Sequence, residues 1–257
     1  MTTALVTGAS SGIGMVYSRR LAARGHSLVL VARATDRLNG LAETLRRSHG
    51  VAVDVITADL TNTLQLTAVE HRLNAAPPVD ILVNNAGASV GGGFVHASPI
   101  AMENLIRLNS VAPMLLAAAV LPGMLRRGHG SIINIASVLA LLPEYSTGVY
   151  AATKAFLLTM SQSLHAEVGA QGIYVQAVLP AATRTEIYAR SGGDISKVPD
   201  VMEAEDLVDA ALIGFDRKEL VTIPPVPNVA DWEAFEHSRM VLARGFSNAK
   251  PADRYRT

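Results

Sequence analysis

The chain has 257 residues, with Lys+Arg 22 against Asp+Glu 22, 49% hydrophobic residues and no cysteine. A chain of that size can bury roughly three quarters of its unfolded surface, so stability requires neither disulfides nor a structural metal, and Cys-built versions of both are excluded. With a net charge of zero no global field draws in nucleic acid or an anionic membrane, and any charged ligand must be held by a local site.

Met1, Thr2 and Thr3 lead into a short apolar run without the basic start or small-residue cleavage site of a secretory signal. The most apolar later stretch, residues 111–125, is interrupted by Pro113, Pro122 and Gly123 and falls short of the roughly 20 residues of a membrane span. The expectation is a soluble cytoplasmic protein. Strands are predicted at residues 4–7, 27–32, 52–57, 80–84, 131–136, 174–179 and 220–223, several of them continuously apolar, as strands covered on both faces should be. Helical periodicity falls between them at about 12–24, 36–48, 61–75, 99–127, 148–169 and 203–215. The alternation predicts an α/β fold, a doubly wound parallel sheet of Rossmann type in a single domain over 1–257. A polar, Gly-containing segment at about 181–200 reads as a lid, and the tail from about 224 to 257 as a surface extension.

The first strand runs into Thr7, Gly8, Ala9, Ser10, Ser11, Gly12, Ile13 and Gly14. Glycines at a strand-to-helix turn let a phosphate approach the backbone and reach free N–H groups at the helix N-terminus. A tight turn with a helix cap is the plainer explanation, but three glycines and two serines exceed what a turn needs. In dinucleotide folds a carboxylate about 20 residues on, at the end of the second strand, holds the ribose 2′-hydroxyl. Here that strand ends Val31-Ala32-Arg33. A guanidinium suits a 2′-phosphate, which a carboxylate would repel, so NADP(H) is expected over NAD(H). Arg37, one turn further on, either assists or faces water. Asp59, followed by Leu60, either meets an adenine amino group or caps the next helix.

Tyr150 and Lys154 lie four apart in a predicted helix, so both project from one face. A nearby ammonium favours the ionised form of a phenol, bringing proton transfer nearer to neutral pH. Ser137 ends the fifth strand, where parallel sheets place their ligands, and its hydroxyl can polarise a carbonyl. Asn84, Asn85, Ala86 and Gly87 follow the fourth strand. Asn109 sits inside an apolar helix and must be either buried in a polar network or exposed. Seven histidines without cysteine show no metal spacing, and no metal is expected.

In this order, T-G-x3-G-x-G at residues 7–14, N-N-A-G at 84–87, Asn109, Ser137 and Y-x3-K at 150–154 resemble the short-chain dehydrogenase/reductase family. The likeness extends to about Pro224. It implies Tyr150 as general acid/base, Lys154 lowering its pKa and holding the nicotinamide ribose, Ser137 orienting the carbonyl or alcohol, and Asn109 holding a water in a proton relay. It also implies cofactor contacts from Gly8, Ser10, Ser11, Gly12, Ile13, Gly14, Arg33, Arg37, Asp59, Leu60, Asn85, Ala86, Gly87, Tyr150, Lys154, Pro180, Thr183 and Thr185. Where the family usually has Pro-Gly after the sixth strand, this chain has Pro180-Ala181, and Ala tolerates positive φ poorly. The helices at 99–127 and 148–169 match those that build dimers and tetramers in relatives, so a homodimer or homotetramer is expected.

The function implied is an NADP(H)-dependent oxidoreductase interconverting a ketone or aldehyde and an alcohol, a small-molecule substrate, with no nucleic-acid or membrane partner. The alternatives are a dinucleotide-bound epimerase or dehydratase, disfavoured by the short chain, and a silent NADP-binding sensor, which would need no acid/base pair. Leu139, Leu141, Leu142, Pro143 and Tyr145, with Ile187 and Tyr188 from the lid, suggest an apolar pocket, though aliphatic residues after a strand also pack as core.

Overall fold

The computed structural model describes residues 2–145 and 148–256. Seven parallel strands form one sheet in the order β3-β2-β1-β4-β5-β6-β7: β1 Thr3–Thr7, β2 Ser27–Ala32, β3 Val53–Thr57, β4 Ile81–Asn84, β5 Gly130–Ile135, β6 Ile173–Val178 and β7 Val221–Thr222. Every residue of β1, β4 and β6 is buried. Alternate side chains of one strand enter opposite cores. Ala4, Val6, Leu28 and Leu30 pack on one face, while Leu5, Val29, Leu82 and Ile132 pack on the other. Covering on both faces is the reason these strands read as near-continuous apolar runs.

Helices α1 Gly12–Ala23, α2 Thr35–His49 and α9 Ala204–Asp216 supply the first core with Val16, Leu21, Leu38, Leu45, Val208 and Leu212. The second core takes Leu66 and Val69 from α3 Thr63–Asn74. Between β4 and β5 lie the short α4 Gly93–His96, then α5 Pro99–Ile106, a π-helical turn Arg107–Val111 and α6 Ala112–Arg127. The helix expected over about 99–127 runs through both Pro113 and Pro122, which interrupt only the apolar run. Pro113 falls in the first turn of α6, directly after the π turn, where a missing N–H matters least, and only Pro122 sits in the helix interior. The whole stretch Pro99–Arg127 spans 29 residues and is long and apolar enough to cross a membrane by length and composition alone. Ala112, Leu116, Ala117, Val120 and Met124 pack it against the sheet.

After β5 come a 3-10 turn Val138–Ala140 and then α7 Val149–Val168. Beyond β6, the segment predicted as a lid carries α8 Ile187–Arg190 and a 3-10 turn Ile195–Lys197. It is tied down by a parallel bridge between Thr183 and Met202. The chain divides into two compact units, Met1–Pro224 and Pro225–Thr257. The second holds α10 Val229–Ala243, started by Asn228, whose side chain accepts a hydrogen bond from the Ala230 N–H. None of the residues of α10 is buried, and Trp232 stacks on Phe235 at 5.5 Å between ring centroids.

Candidate active site

The strand order reverses between β1 and β4, which pair with each other while β1 continues to β2 and β4 to β5, and whose following helices α1 and α6 pack on opposite faces. A crevice opens outside the carboxyl ends of strands at such a switch point. Gly8 occupies the left-handed region at φ +68°, and a Cβ there would stand 2.7 Å from the Asn85 amide nitrogen and 2.9 Å from Ala86 Cα. A Cβ on Gly14 would stand 2.4 Å from both the Gly8 carbonyl and Asn85 Nδ2. Glycine at these two positions is therefore demanded by packing as well as by the turn. Ser11 is the N-cap of α1 but its side chain caps nothing, and no acidic residue lies in the first turn. The positive helix end and its first N–H groups, with Ser10, Gly12 and Ile13 around them, thus face the crevice without an internal acceptor from the cap.

Asn85 holds this loop rather than reaching past it. Its Nδ2 donates to the Thr7 carbonyl at 2.9 Å, and the Asn85 and Ala86 N–H groups both donate to Thr7 Oγ1 at 3.0 Å. Thr7 Oγ1 in turn donates to the Val83 carbonyl. The sequence reading gave Thr7 no role of its own, although a buried hydroxyl one residue before the first glycine is the signal that a polar clamp stands there.

Around the adenosine end, Arg33 is 71% exposed, with Nη1 3.9 Å from Asp59 Oδ2. Arg37 is exposed but engaged: its Nη1 donates to Glu186 Oε1 at 2.9 Å and Oε2 at 3.0 Å. Asp59 accepts from the Thr61 N–H at 2.9 Å and the Thr61 hydroxyl at 2.7 Å. Burial works to raise the Asp59 pKa, but those two hydrogen bonds and Arg33 outweigh it and hold the carboxyl below its usual value. The cap of α3 is Asn62, which accepts from the Gln65 N–H, so of the two roles weighed for Asp59 the helix cap belongs to Asn62. The Leu60 side chain is core, packed with Leu66 and Val69.

Ser137 stands near enough to Tyr150 to act on its phenol in the lowering direction. Its hydroxyl donates to the Pro180 carbonyl at 3.4 Å and accepts from the Leu139 N–H at 3.2 Å. Lys154 is 5% exposed, and its Nζ donates to the Ile135 carbonyl at 2.8 Å and stands 5.7 Å from the centroid of the Tyr150 ring. In the ligand-free chain burial pushes the Tyr150 phenol up to about 12, against the lowering effect of Ser137. Burial also brings the Lys154 ammonium down to about 8. Desolvation disfavours the charged form of each group.

Asn109 lies in the π turn, 1% exposed. Its Oδ1 accepts from the Ala88 N–H, and its Nδ2 donates to the Ala88 carbonyl, both at 3.0 Å, and to Thr153 Oγ1 at 3.1 Å. Of the two readings for an Asn in an apolar helix, the buried network is the one realised. Thr153, which sequence reasoning passed over, donates on to the Tyr150 carbonyl at 2.7 Å and so ties the π turn to the helix bearing Tyr150. π turns recur where a helix must place a functional residue off its regular register. Gly87 completes this wall: a Cβ on it would lie 3.4 Å from Asn109 Oδ1 and 3.5 Å from Lys154 Nζ.

Ala181 does not require positive φ; among the described residues only Asp200 and Lys218 have it without being glycine. The loop is held by other means. Pro180 accepts from the Val138 N–H at 3.0 Å, Thr183 Oγ1 donates to the Ala181 carbonyl at 3.0 Å, and Met202 donates to Ala182 at 2.9 Å. Thr185 reaches the glycine loop, its Cγ2 3.1 Å from where a Gly12 Cβ would be. Val138, Ala140 and Leu141 pack against Leu157, Leu158 and Leu179 as core, whereas Leu142 and Tyr145 are exposed. No three His, Asp or Glu side chains converge as metal ligands among the described residues.

A glycine-lined crevice at the switch point and a Ser-Tyr-Lys set at the end of β5 define a dinucleotide-fold dehydrogenase. A model of the short chain dehydrogenase family matches residues 2–195, and the chain belongs to that family. It is similar to a short-chain dehydrogenase from Sphingobium yanoikuyae solved in complex with NADPH, with 53% identity, a TM-score of 0.98 and all of both chains covered. The bulky-bulky ketone specific alcohol dehydrogenase of Comamonas testosteroni shares 48% identity at a TM-score of 0.93, over 100% of this chain and 99% of that one. Among curated proteins, the Mus musculus very-long-chain 3-oxoacyl-CoA reductase is 34% identical over 188 residues, 72% of this chain. The match spans 60% of that reductase's length.

Proposed function

We propose that the protein is an NADP(H)-dependent oxidoreductase that interconverts a ketone or aldehyde and the corresponding alcohol. The observation that carries this reading is the Tyr150 phenol standing near Ser137, with Lys154 buried beside it, at the strand ends where the glycine crevice opens. Those residues fit a dinucleotide: the uncapped N-terminus of α1 and Gly8, Ser10, Ser11, Gly12, Ile13 and Gly14 would take the pyrophosphate, and Arg33 the 2′-phosphate. Asn85, Ala86 and Gly87 would wall the nicotinamide half, with Pro180, Thr183 and Thr185 opposite. When bound, the nicotinamide supplies or accepts the hydride.

The chain's own groups handle the proton and the oxygen. With its pKa pushed up to about 12, the Tyr150 phenol is protonated at neutral pH and ready to donate to a carbonyl oxygen, the direction of reduction. The Ser137 hydroxyl, placed on the same oxygen, orients and polarises it. As the carbonyl oxygen becomes an alkoxide, Tyr150 gives up its proton, and the Lys154 ammonium steadies the phenolate left behind. Asn109 and Thr153 hold the helix carrying both groups in register with the Ala88 loop.

For the substrate, the Comamonas testosteroni relative covers this chain end to end, and Phe94, Leu142 and Tyr145 are exposed apolar side chains near the start of the Tyr150 helix. The proposal is a ketone with bulky apolar groups on both sides. We place the enzyme in the cytoplasm as a homodimer or homotetramer, one domain with a lid at about 181–200 and an extension from about 224. NADPH oxidation followed at 340 nm against a panel of bulky and small ketones is the test. Tyr150→Phe should lower turnover at least ~100-fold with NADPH binding intact. Undiminished turnover in that variant would remove Tyr150 from the reaction.

A further inference from the structure

Arg37, the second cation beside the expected 2′-phosphate site, is held by a carboxylate from the opposite wall. It lies in the first turn of α2, whose N-cap, Ala34, has no side-chain acceptor for the first N–H groups. Arg33 precedes it by one helical turn. Both oxygens of Glu186 accept from Arg37 Nη1, at 2.9 and 3.0 Å. Glu186 also accepts from Arg190 Nη2, and that nitrogen stands 3.5 Å from Ser11 Oγ at the N-cap of α1. A chain of side chains thus runs from the glycine loop through Arg190 and Glu186 to Arg37, with one negative charge at its centre.

We infer that Glu186 sets the coenzyme preference by occupying Arg37 and holding a carboxylate beside the 2′-phosphate position, so that it opposes the recognition Arg33 provides. The inference rests on the NADP(H) reading. A bound 2′-phosphate carries about −1.5 to −2 charges at neutral pH. It must therefore share Arg37 with a carboxylate and sit against that carboxylate's field. NADH brings a hydroxyl at the same place and is indifferent to both effects. The resulting discrimination is moderate, and it is adjustable by a single lid residue.

The test is fluorescence titration of NADPH and NADH into the wild-type protein, Glu186→Gln and Glu203→Gln. Glu203 is a control of the same kind, since its carboxylate accepts from Arg184 Nε at 2.7 Å on the same segment without touching Arg37. Glu186→Gln should raise the ratio of the NADH Kd to the NADPH Kd by about three- to tenfold, through tighter NADPH binding. Glu203→Gln should leave that ratio within twofold. A general loosening of the lid would weaken both coenzymes in step and leave the ratio unchanged, which overturns the inference. A ratio that falls in Glu186→Gln overturns it also. If the wild type binds the two coenzymes equally and Arg33→Ala alters neither, the NADP(H) reading itself fails. A wild type that prefers NADPH, with no change of ratio in Glu186→Gln, refutes the role of Glu186 alone.

Discussion

Replacing Lys154 by Met should make the ligand-free protein slightly more stable than wild type at neutral pH and less stable than wild type in alkali. The Lys154 ammonium is buried, with the Ile135 carbonyl as its hydrogen-bond partner, and its pKa in the fold is brought down from 10.5 to about 8. Below pH 8 the folded and unfolded chains both carry this proton, and the fold bears the full cost of burying the charge. Between about 8 and 10.5 the unfolded chain holds one more proton than the folded one, so wild-type stability rises with pH by about 1.4 kcal/mol per unit. Above 10.5 both forms are neutral. The interval amounts to roughly 3 kcal/mol. Met removes the charge and this slope, but loses a charge-assisted hydrogen bond of about 1.5–3 kcal/mol. The net effect at pH 7 should thus be small and favourable, while the difference, variant minus wild type, should fall by roughly 3 kcal/mol from pH 7 to 10.5. Urea unfolding of both proteins at half-unit steps across that range measures it, and other titrating groups cancel in the difference. Activity should be largely lost in the same variant. A stability difference that stays constant from pH 7 to 10.5 would refute the desolvated state of Lys154 on which this reasoning stands.

Arg33→Ala should weaken NADPH by about 1.5 kcal/mol, the lower end for a charge-assisted hydrogen bond because the side chain is well exposed, and leave NADH within twofold; calorimetric titration of both coenzymes reads it. Gly14→Ala would drive a Cβ to 2.4 Å from the Gly8 carbonyl and from the clamped Asn85 amide, so we expect about 1–3 kcal/mol of destabilisation and a clear loss of coenzyme affinity. Gly40→Ala, in α2 with nothing within 4 Å of its new Cβ, should instead stabilise by roughly 0.5–1 kcal/mol. Thermal unfolding of the two variants side by side tests the contrast, and equal shifts would refute the close approach at Gly14.

Local features of the sequence were enough to set the seven strands, because a strand buried on both faces reads as a near-continuous apolar run, and β1, β4 and β6, buried throughout, break that run only at Thr3, Thr7, Asn84 and Gln176. Glycines with a close backbone neighbour and a Tyr and Lys one helical turn apart are likewise local statements, so the crevice and the Tyr150-Lys154 pair were legible before folding. The tail was less so. A 15-residue helix with no buried residue, α10, carries no amphipathic stripe for periodicity to detect.

What the tertiary structure alone decided are relations between residues far apart in the chain. Arg37 and Glu186 are separated by 149 positions and Asn85 and Thr7 by 78, and no pattern in either neighbourhood announces the partner. The same holds for Asn109, whose amide, set in a π turn, meets Ala88 and Thr153. Protonation states lie furthest from the sequence. The spacing of Tyr150 and Lys154 suggested that the ammonium would lower the phenol, but a pKa depends on how much water each group loses when the chain packs. Burial at this site displaced both groups toward their neutral forms.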